Sequence, residues 1–312
     1  MNDFQRAHIT LSDNIQKVII GKNEAVSLSI MTLLCRGHLL IEDVPGLGKT
    51  MLARAMAHSV NLAFRRIQFT PDLLPSDITG VSVFDQKTGE FKFKPGPVFT
   101  GILLADEINR ATARTQSSLL ECMEEGQVTV DGKTYLLPAV FMVIATQNPI
   151  ELQGTYPLPE AQLDRFFMRI RIGYPSLPQE VKVMEMQRTK HPIHSISRVI
   201  SQDALMAMQE AVTGVHIDRS LMEYMVRIVD ATRIHADLAL GASPRGSLSL
   251  MRASQAMAFL KDAEFVEPSM VKAVAKPVLA HRLIVKPQSR LRGVTEEAVI
   301  EEILNRVSVP VA

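Results

Sequence analysis

Three short apolar runs in the first half of the chain restrict what it can fold into. They lie at residues 38–41, 101–105 and 140–145, and turn residues bound each run. Short, continuous apolar runs are typical of strands that are buried on both faces of a parallel sheet. Helical patterns lie between them, at residues 50–60 and 113–125. Strands that alternate with helices predict an α/β fold, with a parallel sheet flanked by helices.

The second half of the chain has a different pattern. Two prolines interrupt residues 174–178, and amphipathic helical stretches replace the strand pattern beyond them. Several of these stretches begin with a helix-capping residue such as Ser201. We therefore predict an α/β domain at residues 1–175 and a smaller all-helical domain at residues 176–312. The predicted helices cover residues 179–190, 202–212, 219–235, 245–261, 268–283 and 295–307.

A glycine-rich turn follows the first apolar run. It ends in Gly48-Lys49-Thr50 and leads into a predicted helix. This order is typical of a phosphate loop, whose N–H groups and following helix N-terminus surround phosphate oxygens. Lys49 would reach the β- and γ-phosphates, and the Thr50 hydroxyl would bind Mg²⁺. The residues expected to contact the nucleotide here are Asp43, Val44, Pro45, Gly46, Leu47, Gly48, Lys49, Thr50 and Met51.

A second Gly-Lys-Thr triplet tests this interpretation. Gly132-Lys133-Thr134 lies in an alternating segment centred on Asp131-Gly132, and no helix start follows it. An Asp-Gly pair between alternating residues predicts a β-hairpin. Only the first triplet has the strand, loop and helix that a phosphate loop needs.

Two acidic residues end the second apolar run. In ATPases with a phosphate loop, the first acid at such a position holds Mg²⁺, often through water, which assigns that role to Asp106. The second, Glu107, would orient and deprotonate the attacking water. An acidic pair alone is weak support, but at a strand end downstream of a phosphate loop it indicates a catalytic site.

In this order the motifs resemble those of AAA+ ATPases, and within that class those of the MoxR family. The resemblance spans residues 18–250, and residues 154–166 are its most family-specific part. Asp43 stands where the generic phosphate loop has glycine, but an acidic or small residue is usual there in this family. The stretches that carry the resemblance are residues 42–50, 104–110, 145–149, 154–166 and 241–245.

The resemblance implies further site residues. Asn148 would be a sensor that contacts the γ-phosphate and the attacking water. Arg165 would be an arginine finger that reaches the nucleotide of a neighbouring subunit, and Arg245 a second sensor that acts from the helical lid within its own chain. Residues 18–21, which include Ile20, would pack on the adenine ring. Without the resemblance, these positions would be a turn, two surface arginines and ordinary core.

Two insertions also fit the family. Residues 72–100 contain an alternating run at 89–97 and resemble the insertion in the second helix. Residues 125–138, around the second Gly-Lys-Thr, resemble the hairpin before the first sensor. Phe91, Lys92, Phe93 and Lys94 would then contact a partner, or they would simply form an edge hairpin whose charges prevent aggregation. The sequence leaves both possibilities open.

The resemblance implies a ring-forming ATPase, expected to be a hexamer, that uses ATP and Mg²⁺. It also implies a chaperone-like role on a protein client, often one with a von Willebrand factor type A domain. Three alternatives are the ATPase subunit of a magnesium chelatase, a remodeller of nucleic acid, and an adaptor that hydrolyses ATP poorly. The net charge of +1 and the lack of a helix-turn-helix disfavour nucleic acid. No Asn-Lys-x-Asp guanine motif occurs, which favours ATP over GTP.

The remaining features predict an ordinary cytoplasmic protein. No run of 18 apolar residues occurs, and the N-terminal segment is polar rather than signal-like. Cys35 and Cys122 are expected to be reduced thiols. His191 and His194 have HxxH spacing across a proline, but no further ligand lies near them in sequence, so we expect no zinc site.

Overall fold

The computed structural model describes residues 3–149, 155–188 and 191–310. Eleven strands occur within these ranges. They are β1 (Leu39–Glu42), β2 (Phe64–Gln68), β3 (Gly80–Asp85), β4 (Glu90–Pro95), β5 (Ile102–Asp106), β6 (Gln127–Val130), β7 (Lys133–Leu136), β8 (Met142–Gln147), β9 (Met168–Ile170), β10 (Leu238–Leu240) and β11 (Ile284–Val285).

The α-helices within the same ranges are α1 (Asp3–Gln16), α2 (Asn23–Leu34), α3 (Lys49–Ser59), α4 (Pro75–Thr79), α5 (Ala113–Glu125), α6 (Glu160–Leu163), α7 (Leu177–Gln187), α8 (Gln202–Thr213), α9 (Arg219–Arg233), α10 (Pro244–Leu260), α11 (Pro268–Leu279), α12 (Pro287–Leu291) and α13 (Glu296–Arg306).

A five-stranded sheet forms the centre of the first half, in the order β2-β5-β8-β1-β9. All of its pairs are parallel. The three predicted apolar strands are β1, β5 and β8, shifted by one or two residues. Because the strands are parallel, the residues that follow β1, β5 and β8 meet along one edge of the sheet. The register confirms this alignment, since Glu42 lies opposite Gln147 and Gln68 opposite Asp106.

Hydrophobic cores cover both faces of this sheet. One face packs against α2 and α3 and continues into the second half of the chain. The other face packs against α5 and the segment that contains Phe166. The α/β fold with flanking helices is therefore confirmed.

A helical lid follows the sheet, as predicted. Helix α10 packs against α8, α9 and α11, and α13 packs against α9 and α11. The lid also contains a short antiparallel pair, β10 with β11, which helical periodicity did not predict. The predicted helix at residues 268–283 ends earlier, at Leu279, and a 3-10 turn over Ala280–Arg282 follows it. Of the predicted helix at 179–190, residues 189 and 190 lie outside the described residues.

Two hairpins project from the first half. Strands β3 and β4 pair within the insertion at residues 72–100, and β6 pairs with β7 around Asp131 and Gly132. Both turn residues have positive φ, 50° and 75°, as the tight turn of an Asp-Gly hairpin requires. The Phe93 ring stacks on Tyr135 at 4.0 Å, so the two hairpins contact each other. The second Gly-Lys-Thr thus belongs to a hairpin.

No helix in the described part of the chain is both long enough and apolar enough to cross a membrane.

Candidate nucleotide site

The loop between β1 and α3 has the backbone of a phosphate-binding turn. Gly46 and Gly48 both adopt φ of +87°, a conformation that glycine reaches without strain. A Cβ atom placed on Gly46 would meet nothing within 4 Å, so the loop borders open space. Helix α3 begins at Lys49 directly after the loop, and its N-terminus therefore presents free N–H groups there.

The Asp43 side chain anchors this loop. One carboxylate oxygen accepts hydrogen bonds from the backbone N–H groups of Ile172 at 2.8 Å and Gly173 at 2.7 Å. The other accepts from Val44 at 3.1 Å. Both carboxylate oxygens of Asp43 therefore accept hydrogen bonds from backbone N–H groups, one in the loop and two in the segment after β9. The carboxylate of Asp43 therefore shapes the loop. The contact that we expect between Asp43 and the nucleotide would be made by its backbone.

The Lys49 side chain lies among three acidic residues. Burial leaves Lys49 only 8% exposed, and this desolvation lowers the pKa of its ammonium group. The nearby charges of Asp106, Asp43 and Glu107 act in the opposite direction and raise that pKa. Lys49 Nζ donates to the carbonyl of Asp43 at 2.5 Å. The structure thus brings the predicted lysine and the predicted acidic pair together.

Thr146, on β8, fixes the two acidic residues. Its fully buried hydroxyl donates to Asp106 Oδ1 at 2.6 Å and accepts the backbone N–H of Glu107 at 2.9 Å. Glu107 adopts a left-handed φ of +55°, which is uncommon for a residue with a side chain. Such backbone positions cluster at functional sites.

Two polar side chains of β2 also contact this acidic pair, and no pattern in the sequence predicted them. Arg66 donates to Asp106 Oδ2 from Nε at 3.0 Å and from Nη2 at 2.6 Å. Gln68 Nε2 donates to Glu107 Oε2 at 2.8 Å. Their strand has an exposed, polar face, so it lacks the apolar run that revealed the other strands. Residues 64–68 do not alternate regularly between apolar and polar residues, because Arg65 and Arg66 are adjacent, so no local pattern marks this strand.

The residues proposed to hold Mg²⁺ offer oxygen donors. Thr50 lies half-buried in the first turn of α3, and Asp106 is the last residue of β5 at the same edge of the sheet. Hydroxyl and carboxylate oxygens suit Mg²⁺, which binds few protein ligands and keeps several waters. Asn148, the predicted sensor, directly follows β8 and lies half-buried at this edge as well. The chemistry of this donor set therefore fits a magnesium–nucleotide complex.

A cavity of about 230 Å³ adjoins the phosphate loop. Ile20, which the resemblance assigns to the adenine contact, lines this cavity. Mostly apolar side chains surround it, as is typical of pockets for flat organic rings. Its other lining residues include Gly46, Leu47, Gly48, Met51 and Val183.

The two predicted arginines lie at the opposite edge of the sheet. His38 precedes β1, and its ring contacts the carbonyl of Met123 at 3.0 Å, which places Glu124 at the amino-terminal edge. Arg165 Nη2 pairs with Glu124 Oε2 at 3.0 Å, and Arg245 pairs with Glu124 Oε1. The four residues of β1 span roughly 13 Å, which separates this edge from the phosphate loop.

This position corrects one expectation. We expected Arg245 to complete the site of its own chain, but it lies beside Arg165 and away from the loop. Both line a cavity of about 340 Å³ that shares none of its lining residues with the cavity at the phosphate loop. The arginine-rich lining of this second cavity comprises Arg36, Arg165, Arg245, Arg252 and Arg282.

Asp164, next to Arg165, joins the sheet domain to the lid. Its carboxylate accepts from the Ser243 hydroxyl at 2.7 Å and from Arg282 Nε at 2.7 Å. Arg282 is buried, and its guanidinium also donates to the carbonyl of Phe166 at 2.7 Å. Neither Asp164 nor Arg282 was predicted as a site residue, because the helical pattern gave no sign that they meet.

Known proteins share this architecture. Residues 38–168 match the ATPase family associated with various cellular activities (AAA), and residues 230–303 match the AAA lid domain. The chain is 50% identical to an uncharacterized protein of Bacillus subtilis, YeaC, over 96% of this chain and 93% of that one. It is 39% identical to Chaperone MoxR1 of Mycobacterium tuberculosis, over 95% of this chain and 80% of the relative.

A crystal structure of a Cytophaga hutchinsonii protein is also similar, with a TM-score of 0.92 and 38% identity, and it covers 98% of this chain and 96% of that one. Magnesium-chelatase subunits match a smaller share of the chain at lower identity. The predicted resemblance is thereby confirmed, and the chain belongs to the MoxR family of AAA+ ATPases.

Proposed function

We propose that this chain hydrolyses ATP, in a magnesium-dependent reaction, at the edge of the sheet where β1, β5 and β8 end. The observation that carries the proposal is the convergence of Lys49, Asp106 and Glu107 beside an open glycine-rich loop. The cavity lined by Ile20 and Met51 would take the adenine ring.

Each residue has a distinct role in this reaction. Lys49 exchanges its contact with the Asp43 carbonyl for the β- and γ-phosphates. Glu107 accepts a proton from the attacking water, and Asn148 orients that water against the γ-phosphate. The products are ADP and inorganic phosphate. Thr50 and Asp106 would hold Mg²⁺, whose positive charge would offset that of the phosphates.

The site is completed by a second copy of the chain. Arg165 and Arg245 lie across the sheet from their own phosphate loop, so they would contact the nucleotide of the neighbouring subunit. Cationic groups there stabilise the charge that spreads onto the transferred phosphoryl group. Repeating this head-to-tail contact closes a ring, which we propose to be a hexamer.

The ring would act as a chaperone that remodels or activates a protein client. Arg165 and Arg245 belong to the sheet domain and the lid, and Asp164 ties those two parts together. Loss of the γ-phosphate from the neighbour would therefore change how lid and sheet domain sit against each other. A client with a von Willebrand factor type A domain is the partner that the family resemblance suggests. The more distant match to magnesium-chelatase subunits makes that alternative the weaker one.

Nucleotide binding and turnover test the proposal. Lys49→Ala should abolish ATP binding, while Lys133→Ala, the same change in the second Gly-Lys-Thr, should leave binding and hydrolysis intact. Glu107→Gln should bind ATP and stop hydrolysis. Undiminished ATP affinity in Lys49→Ala, or normal turnover in Glu107→Gln, would refute the site. Affinity capture with the Glu107→Gln chain in ATP, against the Lys49→Ala chain as control, would identify the client.

A further inference from the structure

One carboxylate holds two arginines that come from different parts of the fold. Glu124 lies in the last turn of α5. Its Oε2 pairs with Arg165 Nη2 at 3.0 Å, and its Oε1 pairs with Arg245. Arg165 belongs to the segment between α6 and β9, whereas Arg245 lies in the first turn of α10 in the lid. The Glu124 carboxylate therefore holds the two guanidinium groups side by side.

The surroundings of this pair are rich in arginine, of which Arg36 already pairs with Glu210. Arg36, Arg252 and Arg282 line the same cavity. Asp164 is the other acidic residue of that lining, and its carboxylate is already used by Arg282 and Ser243. The position of Arg245 at a helix N-terminus adds unfavourable charge. Within the described lining, the Glu124 carboxylate is thus the group that offsets the repulsion between Arg165 and Arg245.

We propose that Glu124 is a positioning residue, which holds Arg165 and Arg245 as a pair so that both contact one phosphate group of the neighbour's ATP. The proposal rests on the proposed function, in which these arginines act across the subunit contact. A guanidinium has several N–H donors and can bind two anions at once, so each arginine can keep Glu124 while it receives phosphate oxygens. Glu124 itself touches neither ATP nor water and acts only through the arginines.

A purely structural role is the competing explanation. Glu124 would then tie the lid to the sheet domain, and its loss would weaken the fold of the chain that carries the change. The pair is partly exposed to solvent, with 31% of the Glu124 side chain and 52% of the Arg245 side chain accessible. Partly exposed ion pairs contribute little to stability, so a stability role predicts only a small effect of its removal.

Mixed rings separate these two explanations. A donor chain with Lys49→Ala cannot use its own site but still offers its arginines, and a receiver chain with Arg165→Ala has the opposite defect. Their mixture hydrolyses ATP only at receiver sites that face a donor. Recovery of activity in this mixture tests the proposed function, and Glu124→Gln is then added to one chain at a time.

We expect Glu124→Gln on the donor to lower the kcat of the mixture about tenfold or more, a loss typical of misplaced catalytic groups. This loss of kcat should be at least several-fold greater than the loss caused by Glu124→Gln on the receiver. Glu124→Asp on the donor should retain part of the activity that Glu124→Gln loses. Glu121→Gln, an exposed change one turn earlier on α5, is the matched control on the donor.

The thermal unfolding midpoint of the donor chain, measured alone, should stay close to that of the donor without Glu124→Gln. Equal losses from donor and receiver, or no loss from the donor, would overturn the role of Glu124 even where the unmodified mixture is active. If the mixture of the two parent chains shows no activity, it is the proposed subunit contact that fails.

Discussion

The Arg66 guanidinium lies directly on the Asp106 carboxylate, with Nε at 3.0 Å and Nη2 at 2.6 Å from the same oxygen. Asp106 is the carboxylate that we propose as a magnesium ligand. A cation from the protein thus already occupies the position toward which a metal ion would be drawn. Like charges repel, so Arg66 is expected to weaken the binding of Mg²⁺.

Arg66→Gln should therefore lower the Mg²⁺ concentration needed for half-maximal ATP hydrolysis. We expect a change of about fivefold, which corresponds to about 1 kcal/mol for a partly exposed pair. Arg65→Gln is the matched control, because Arg65 is the exposed neighbour whose side chain points to the other face of β2. A magnesium titration of the ATPase rate measures both variants. A higher Mg²⁺ requirement in Arg66→Gln would contradict the competition between the two cations.

Thr146→Val should damage both the fold and the chemistry. Valine keeps the shape of threonine but cannot donate to Asp106 or accept the N–H of Glu107. We expect the free energy of unfolding to fall by about 1–3 kcal/mol, as for buried groups left without partners. The ATPase rate should fall as well, because the two acids lose their alignment. Urea unfolding and ATPase rates test this against Thr129→Val, an exposed threonine of the hairpin. Equal behaviour of the two variants would show that the bridging hydroxyl contributes nothing.

Much of this site could be predicted because its residues are linked to local patterns. Lys49 and Thr50 follow a glycine-rich turn, and Asp106 ends an apolar strand. The order of these motifs along the chain was enough to predict that they share one site. Arg66 and Gln68 were missed because their partners are paired across the sheet, and strand β2 has an exposed polar face. The sequence of one strand does not show which residues of the neighbouring strand lie opposite it.

The position of Arg245, away from its own phosphate loop, was missed for a related reason. The sequence identifies a helix start with an arginine on it, and helix propensity does not say where the lid lies against the sheet. That placement depends on long-range contacts such as Ser243 with Asp164. The short pairing of β10 with β11 was missed for the same reason, since such short strands have no recognisable period.

Asp164→Asn should destabilise the chain more than an ordinary surface change. It leaves the Arg282 guanidinium, whose side chain is 2% exposed, without its charged partner. Burial already lowers the pKa of Arg282, and Asp164 counteracts that effect. Breaking a buried pair from one side costs about 3–5 kcal/mol. Asp230→Asn, which breaks an exposed pair with Arg233 on α9, should cost less than about 1 kcal/mol. Similar unfolding free energies for the two variants in urea would refute the buried role of Asp164.

His38 should make the fold sensitive to acid. Burial lowers the pKa of His38 to about 4, and its ring bridges the carbonyl of Met123 and the N–H of Val143 in the neutral form. The unfolded chain binds a proton at a higher pH than the folded chain does. Stability is therefore complete above pH 6.5, the ordinary histidine value, and falls as the pH decreases toward 4.

His38→Asn should remove this part of the pH dependence while lowering stability at neutral pH. Buried His281, whose pKa is also lowered by burial, keeps its own contribution in both proteins. Unfolding free energies between pH 7 and pH 4.5 provide the comparison. An equally steep loss of stability in His38→Asn would show that His38 does not cause it.

We propose that the site is complete only when two chains meet, and the ATPase rate per chain as a function of protein concentration tests this proposal most directly. Sedimentation under the same conditions gives the assembled fraction. The rate per chain should rise with that fraction and fall toward zero on dilution, and Arg165→Ala should stay inactive even when it is assembled. A single, unassembled chain that hydrolyses ATP at the rate of the assembled protein would contradict the shared site.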